Sequence, residues 1–395
     1  MFSEKVISSL GRSSLIRAMF EEGENLRAIH GADKVFDFSL GNPDPEPPLI
    51  TKETLKRLVL EDKPRMHSYM PNAGYHEVRK KVADHLAQET GLALTFNHII
   101  MTCGAAGALN IVFKTILNLG DEVIIFSPYF VEYTTYIENY NGKSIIVPCD
   151  LETFQPNISA LEASITAKTK AIILNSPNNP TGVVYSEGTL KAMNEVLRRK
   201  EREFNITIFV VSDEPYRKLV YDNILLPSVI KIFDNSIMVD SFSKSLSLPG
   251  ESIGYVALNP GIKDVELLMD GLIYCNRTLG FGNAPALFQR VIAESLDVAV
   301  DIDIYRERRD LLYNSLINFG YSCVKPQGAF YLFPKAFIED DFEFKKRALK
   351  YNLILVPGSG FHCPGYFRIS YCVSLKTIEN SLPSFEALAK EFILQ

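Results

Sequence analysis

Short apolar runs alternate with longer stretches of mixed polarity from about residue 50 onward. Within residues 75–88, Val78, Val82 and Leu86 recur four apart, which is the spacing of one buried face of an α-helix. A similar helical character extends over residues 51–62 and 186–199. The short runs are β-branched and end at polar or turn residues, which predicts buried strands at residues 122–126, 144–147, 171–174, 206–211 and 236–239. This alternation predicts an α/β fold with a mostly parallel sheet flanked by helices on both faces.

The pattern changes after about residue 285, where long helical stretches precede shorter strands. Helices are predicted at residues 284–295, 302–318 and 377–392, and strands at residues 328–333 and 367–372. This arrangement predicts a smaller α+β domain, while the proline-rich residues 41–48 predict a rigid connector. We therefore expect an amino-terminal arm with a small-domain segment over residues 1–45, a large domain over 46–285 and a small carboxyl-terminal domain over 286–395.

The composition fits a chain of 395 residues that buries a sizeable core, since 47% of the residues are hydrophobic. The net charge of −6 argues against broad binding to nucleic acid or acidic membranes, which requires a basic surface. Apolar runs are too short to span a bilayer, and residues 1–10 lack the apolar core of a signal peptide. Six cysteines without a CxxC pair indicate thiols in a reducing compartment. These features predict a cytoplasmic protein with no metal site.

The strongest local signal is a lysine, Lys244, within the segment SFSKSLSLPG over residues 241–250. No other charged residue occurs in this segment, so Lys244 can lose hydration, which favours its neutral and nucleophilic form. The surrounding hydroxyl groups can donate hydrogen bonds to a phosphate. A lone lysine in a loop is more often an exposed side chain, so the interpretation depends on the other segments of the chain.

Three further segments follow predicted strands or open a helix. NSPNNPTG, residues 175–182, lies at the carboxyl end of a predicted strand, where parallel sheets bind ligands, although it is also an ordinary turn sequence. SDEPY, residues 212–216, places Asp213 at a strand end, where it is either a solvated acid or a partner of a buried cation. CGAAGALN, residues 103–110, opens a helix with small residues that either pack tightly or bring backbone N–H groups close to an anion.

Together these segments resemble the fold-type-I pyridoxal-phosphate (PLP) aminotransferases of class I and II, the aspartate, alanine and aromatic aminotransferases. The resemblance rests on the lysine after Ser-x-Ser, the NNPTG loop and the Asp-x-x-Tyr pair. Further matches occur in the family's order as LGNP, SYMPNAG, PQGAFY and GYFRIS, at residues 40–43, 68–74, 326–331 and 365–370. The resemblance implies an enzyme that uses PLP to move an amino group between an L-amino acid and a 2-oxo acid.

The resemblance also implies roles for single residues. Lys244 is expected to hold PLP as a Schiff base and, once a substrate displaces it, to move the proton from the substrate Cα to the cofactor. Asp213 is expected to pair with the protonated pyridine nitrogen, which keeps the ring an electron sink. Tyr216 and Asn179 are expected to donate to the ring O3′. Arg368 is expected to bind the substrate carboxylate as a bidentate fork.

The cofactor phosphate is expected on the backbone N–H groups of Ala105 and Ala106 and on the Ser241 hydroxyl. Tyr69 is expected to reach the phosphate of a neighbouring subunit, which implies a homodimer with shared active sites. One position departs from the family, because its pattern PGxRxG is PGESIG here, with Ser252 in the place of the arginine. Losing such a charge-assisted contact, worth about 1.5–3 kcal/mol, lowers the expected PLP affinity about ten- to a hundredfold unless another cation compensates.

Other implied contacts concern the ring face and the substrate. Phe130 is expected to stack on the PLP ring, with Tyr129 as the alternative if the register differs by one residue. Gly41, in the amino-terminal loop, is expected to contact the substrate together with Asn179 and Arg368. Two roles stay open for Arg277. It is either a second carboxylate-binding group near the pocket entrance or a structural residue at the dimer interface.

Three other functions stay open beside the aminotransferase. A PLP lyase that cleaves a C–S bond by β-elimination uses the same Lys244, Asp213 and Arg368, and releases a 2-oxo acid with ammonia without needing an acceptor. Ser252 leaves open a degenerate paralogue that no longer catalyses a reaction. A PLP-binding sensor domain of a DNA-binding regulator is the third, and the negative net charge argues against it.

Overall fold

The computed structural model of this protein describes residues 2–4, 6–7, 23–29 and 31–393. Residues 8–22, about a third of the predicted arm and small-domain segment, lie outside the described residues. Helices occupy α1 Leu49–Glu61, α2 His76–Thr90, α3 Gly104–Ile116, α4 Glu132–Asn139, α5 Ile158–Ser164, α6 Glu187–Phe204, α7 Val229–Ile232, α8 Phe242–Ser245, α9 Val265–Thr278, α10 Ala286–Ile292, α11 Ile302–Asn318, α12 Asp341–Leu349 and α13 Leu375–Ile393. Strands occupy β1 Phe36–Asp37, β2 Ile99–Thr102, β3 Glu122–Ser127, β4 Lys143–Pro148, β5 Thr169–Asn175, β6 Phe209–Asp213, β7 Ser236–Ser241, β8 Gly254–Leu258, β9 Tyr331–Leu332, β10 Leu353–Ile354, β11 Val356–Pro357 and β12 Phe367–Ser370.

The large sheet has seven strands in the order β2-β8-β7-β6-β5-β3-β4. The pairs from β7 to β4 are parallel, and β8 runs antiparallel to both of its neighbours. The predicted α/β fold with a mostly parallel sheet is therefore confirmed. Because parallel strands end at the same edge of a sheet, the loops after β5, β6 and β7 come together there.

Helices cover both faces of this sheet, as its apolar strands require. The successive residues Val210 and Val211 of β6 point to opposite faces, and each belongs to a different buried cluster. Val211 packs in a cluster with Leu109 of α3 and Leu272 of α9, whereas Val210 packs in one with Met193 of α6. The predicted helical face of α2 is buried through Val78, Val82 and Leu86.

A second core joins the carboxyl-terminal part of the chain to the segment just before residue 41. β1 pairs in parallel with β10, and β11, β12 and β9 form a small antiparallel sheet. Phe38 packs in this core with Leu312 of α11, Phe344 of α12 and Phe385 of α13. Ile292 of α10 packs instead with residues of α2. The domain limits at residues 45/46 and 285/286 stay predictions.

Several predicted element limits differ from the structure. The strand predicted at 206–211 is wrong at both ends, since α6 runs on to residue 204, Asn205 ends it in the left-handed conformation, and β6 extends to Asp213. Of the strand predicted at 328–333, only β9, Tyr331–Leu332, is present. Ala329 before it has a positive φ of 55°, which interrupts an extended chain. The helix predicted at 284–295 is limited to α10, whereas α11 has its predicted limits. None of the helices within the described ranges is long and apolar enough to cross a bilayer.

Candidate active site

A cavity of about 1,100 Å³ opens at the edge of the large sheet where its parallel strands end. Asn175 of β5, Asp213 of β6 and Ser241 of β7 line it from the large sheet, and Tyr331 and Arg368 line it from the second core. The cavity therefore lies between the two cores. Among the residues predicted for the site, those that line it are Gly41, Ala105, Ala106, Phe130, Asn179, Asp213, Tyr216, Ser241, Lys244 and Arg368.

Lys244 lies on the short helix α8, which begins directly after β7. The Ser241 hydroxyl accepts a hydrogen bond from the backbone N–H of Ser243 at 3.2 Å and so fixes the start of this helix. The Lys244 Nζ donates to the backbone carbonyl of Gly41 at 2.7 Å. Burial lowers the pKa of Lys244. The nearby Cys372 opposes this shift, and the positive charge of Arg368 adds to it. A neutral amine is thus accessible at lower pH than for a lysine in water.

Asp213 is a buried carboxylate with one free oxygen. Its Oδ2 accepts a hydrogen bond of 2.5 Å from the Tyr133 hydroxyl, whereas Oδ1 has no hydrogen-bond partner among the described residues. Burial raises the pKa of Asp213 to about 7, with the Tyr133 hydrogen bond opposing this shift and Asp240 adding to it. A buried carboxylate oxygen without a partner costs free energy, so the site is complete only when a cationic or N–H group lies against Oδ1.

Arg368 is held in a fixed orientation on β12. Its Nη1 donates to Oδ1 of Asn179 at 3.0 Å and its Nη2 to the backbone carbonyl of Ser39 at 2.6 Å. The guanidinium carbon also lies over the rings of Tyr331 and Phe361, at 4.7 and 4.8 Å from their centroids. Its Nε is buried without a partner among the described residues. A planar cation held in this way matches the geometry of a carboxylate.

Tyr216 lies in the loop after β6, and Asn179 lies in the loop after β5. The hydroxyl groups of Tyr216 and Tyr331 are 2.8 Å apart and hydrogen-bonded. The backbone N–H of Asn179 donates to Oδ1 of Asn175 at 2.8 Å, and the Asn175 side chain also donates to the carbonyl of Asp213. The loop at residues 175–182 is therefore tied to the end of β6, and it places Asn179 beside Arg368.

The start of α3 and three serines form another wall of the cavity. Gly104 begins α3 with a φ of +67°, and Ala105 and Ala106 follow it. Ser252 lies directly against Gly104, since a Cβ on that glycine would be 3.6 Å from the Ser252 Cα. The other two serines of this wall are Ser241 and Ser243. We call this group, Gly104 to Ala106 with Ser241, Ser243 and Ser252, the cradle, because unpaired N–H groups at a helix start and hydroxyl groups bind anions.

The two aromatic candidates for the ring face both line the cavity. Phe130 meets Tyr133 edge to face at 5.5 Å, next to the carboxylate of Asp213. Tyr129 stacks on His362 at 4.9 Å. The choice of Phe130 over Tyr129 as the stacking residue stays a prediction.

Two predicted residues lie away from the cavity. Tyr69 is 98% exposed and does not line it. Arg277 is exposed near the carboxyl end of α9, where its guanidinium lies 5.9 Å from the Tyr274 ring, and it does not line the cavity either. Within a single chain, neither residue contributes to the site.

Sequence reasoning missed several site residues that the structure brings in. Tyr133 donates a hydrogen bond to Asp213 from α4, Ser39 offers only its backbone carbonyl to Arg368, and His362 lines the cavity. A backbone carbonyl has no sequence signal. The repeat of tyrosines at 129, 133 and 136 on one stretch of helical spacing was the signal available for Tyr133.

Comparison with known proteins decides the family. The model of the family "Aminotransferase class I and II" matches residues 33–385. The chain belongs to the class I and II aminotransferases. A probable aspartate aminotransferase from Methanocaldococcus jannaschii is 34% identical over 88% of this chain and 91% of its own length. A probable aspartate/prephenate aminotransferase from Aquifex aeolicus is 35% identical over 89% and 90%. The crystal structure of an amino transferase from Eubacterium rectale covers both chains fully, with a TM-score of 0.96 and 41% identity.

Class I and II aminotransferases depend on PLP, and the geometry of this site fits that cofactor. The buried Oδ1 of Asp213, without a partner among the described residues, offers an acceptor for a ring N–H, and Lys244 offers a partly buried amine of lowered pKa. The cradle offers N–H and hydroxyl donors for a phosphate. The resemblance found in the sequence is therefore confirmed at the level of family, fold, cofactor and reaction class.

Proposed function

We propose that this PLP-dependent aminotransferase uses Lys244 as its cofactor lysine and as the base that moves the proton. One observation carries the proposal: a partly buried amine, a carboxylate with a free oxygen and a fixed guanidinium line one cavity at the end of the parallel strands. These three groups supply the covalent anchor, the ring partner and the substrate anchor that amino-group transfer requires.

Each residue has a separate task in this proposal. PLP, when bound, supplies the electron sink that stabilises a carbanion at the substrate Cα. Lys244, with its lowered pKa, takes up the Cα proton at Nζ and returns it. Asp213 accepts the ring N–H at Oδ1 and holds the positive charge on the ring. Tyr216 and Asn179 orient the ring oxygen, and Arg368 fixes the substrate carboxylate.

The substrates are an amino acid and a 2-oxo acid. Aspartate is the first donor to test, because the relatives from Methanocaldococcus jannaschii and Aquifex aeolicus are named for it. Among the described residues that line the cavity, Lys244 and Arg368 are the side chains with a formal positive charge. A distal carboxylate therefore needs a cation from outside these residues, so alanine and aromatic amino acids belong in the same panel.

We also propose that two copies share their active sites. Tyr69 supports this, because its side chain is almost fully exposed and does not line the cavity of its own chain. In the proposed dimer its hydroxyl donates to the phosphate held by the second copy. Light scattering tests the dimer, and a hybrid of Tyr69→Phe and Lys244→Ala chains tests the sharing, since only a shared site gives the hybrid one site that carries neither substitution.

A cytoplasmic location is part of the proposal as well. The six cysteines are free thiols, which suits a reducing compartment. Cell fractionation with an antibody against the protein tests it, and recovery from an exported fraction would contradict it.

The deciding experiment is a visible absorbance spectrum of the purified protein after PLP is added and the excess removed. A panel of amino acids is then added one at a time without an acceptor. A shift of the band to the pyridoxamine form, with one equivalent of 2-oxo acid, supports the transaminase and names its donor. Continuous release of 2-oxo acid with ammonia would indicate the C–S lyase instead. A protein that binds PLP but converts no amino acid would support the degenerate paralogue.

A further inference from the structure

The cradle is built from neutral donors. Ser241, Ser243 and Ser252 contribute hydroxyl groups, and the first turn of α3 contributes backbone N–H groups. Ser252 is exposed and has a left-handed backbone with φ 47°. It lies so close to Gly104 that any side chain at position 252 starts beside the first turn of α3.

No cationic side chain of the described residues serves the cradle. Lys244 and Arg368 are the formally positive side chains among the described residues that line the cavity. Their hydrogen bonds go to Gly41 and to Asn179 and Ser39, none of which belongs to the cradle. Burial lowers the pKa of His362, which also lines the cavity, and so favours the neutral form of this ring. Within the described residues of one chain, a dianionic phosphate therefore meets hydroxyl and N–H groups only.

We infer that this protein holds its cofactor firmly only while Lys244 is bonded to it, and that it releases the cofactor after taking the amino group from the donor. The inference rests on the proposed function of Lys244. In that half-reaction PLP gains the amino group and becomes pyridoxamine phosphate, the donor leaves as its 2-oxo acid, and the Lys244 Nζ returns to a free amine. Non-covalent contacts alone then retain pyridoxamine phosphate.

The strength of those contacts follows from the charge of the cradle. Hydrogen bonds from an ionised donor to a phosphate are about twice as strong as those from a neutral donor. In the PLP state the covalent bond to Lys244 retains the cofactor whatever the strength of these hydrogen bonds. Pyridoxamine phosphate has no such bond, so its retention depends on them. Turnover consequently needs free PLP or pyridoxamine phosphate in solution, because the cofactor exchanges between half-reactions.

Direct titration of the unliganded protein with pyridoxamine phosphate tests the inference without any catalysis. Ser252→Arg adds a cation at the cradle, and the existing non-glycine residue there already adopts the left-handed backbone. We expect Ser252→Arg to bind pyridoxamine phosphate about ten- to a hundredfold more tightly than the natural protein. Ser252→Gln, which adds length without charge, is the matched control and should stay within about twofold. Equal affinities of all three proteins would overturn the inference.

A retention experiment tests the same inference on the natural protein, so it does not depend on the folding of a variant. The protein is loaded with PLP, treated with an amino donor without acceptor, and passed through a gel-filtration column. The natural protein should keep its cofactor without donor and lose most of it with donor, whereas Ser252→Arg should keep it in both cases. Full retention by the natural protein after conversion would overturn the inference. If no 2-oxo acid forms, the proposed function fails, and the direct titration still decides the inference.

Discussion

Lys244 and Gly41 are joined by a hydrogen bond of 2.7 Å from the lysine Nζ to the glycine carbonyl oxygen. Gly41 follows the segment that packs into the second core through Phe38, and Lys244 follows β7 of the large sheet. The bond therefore joins the two halves of the protein across the cavity. It also gives the partly buried amine a hydrogen-bond acceptor. In the proposed function, covalent attachment of Lys244 to PLP would replace this contact.

Replacement of the lysine gives the first prediction. Lys244→Ala should abolish the covalent link to PLP and transamination, because no other lysine lines the cavity among the described residues. Borohydride reduction of the PLP-treated protein followed by intact mass measurement detects the link. The matched control is Lys114→Ala on α3, an exposed lysine whose loss should change neither reading. A Lys244→Ala protein that still gains the cofactor mass and transaminates would refute the assignment.

The second prediction concerns the close approach of Gly41 to Tyr331. A Cβ at Gly41 would collide with the Tyr331 hydroxyl and lie 3.2 Å from its ring carbon Cζ. Gly41→Ala should therefore destabilise the fold by about 1–3 kcal/mol, the usual cost of overpacking. Tyr331→Phe removes the hydroxyl but also the bond to Tyr216, so alone it should cost about 1 kcal/mol.

Urea unfolding of both single variants and of the double variant completes this test. The double variant should be more stable than the sum of the two losses predicts, because the second change relieves the collision that the first creates. Strict additivity would show that Gly41 and Tyr331 do not compete for the same space.

Much of the site could be predicted because its residues lie in short motifs at strand ends. Asp213 and Lys244 follow apolar strands, and the parallel sheet brings those strand ends together. Arg368 is a different case, since 189 positions separate it from Asn179 and only the order of motifs in the whole family indicated it.

The unpredicted parts depend on packing between elements. Tyr133 reaches Asp213 because α4 lies over the end of β6, and no local pattern fixes that placement. The limits of β6 were wrong because Ile206 has the β-branched character of a strand, yet the left-handed Asn205 starts a connection there. Ser252 indicated from the sequence that the cradle lacks the family's arginine. Only the structure shows that Lys244 and Arg368 bond to other residues and do not replace that cation.

The third prediction is a loss of substrate affinity in Arg368→Lys. Lysine keeps the charge but loses the planar fork that Asn179 and Ser39 orient, and an ammonium group cannot stack on an aromatic ring as a planar guanidinium does. The KM for the amino donor should rise about ten- to a hundredfold with a smaller change in kcat, since the contact is made in both ground and transition states. The control in the same steady-state assay is Arg198→Lys, at an exposed arginine of α6 that forms an ion pair with Asp234. An unchanged KM would place the carboxylate elsewhere.

The last prediction follows from the free oxygen of Asp213 in the protein without cofactor. Its pKa is raised to about 7 in the folded state and is about 3.9 in the unfolded chain. Between about pH 4 and 7 the folded protein therefore holds a proton that the unfolded chain has released. The contribution of Asp213 to the free energy of unfolding is then largest at low pH and is lost as the pH rises towards 7, by up to about 1.4 kcal/mol per pH unit.

Asp213→Asn removes this dependence, because an amide stays neutral at every pH. The difference in the free energy of unfolding between the variant and the natural protein should thus grow in favour of the variant by roughly 2–3 kcal/mol between pH 5 and 7, and level off above. Urea unfolding of both cofactor-free proteins at several pH values measures it. Glu214, whose pKa burial also raises to about 7, is present in both proteins, and its titration cancels only in part because the Asp213 charge adds to its shift. Asp234→Asn, at an exposed position, should show no such growth. Parallel curves for Asp213→Asn and the natural protein would mean that the carboxylate is already paired without cofactor.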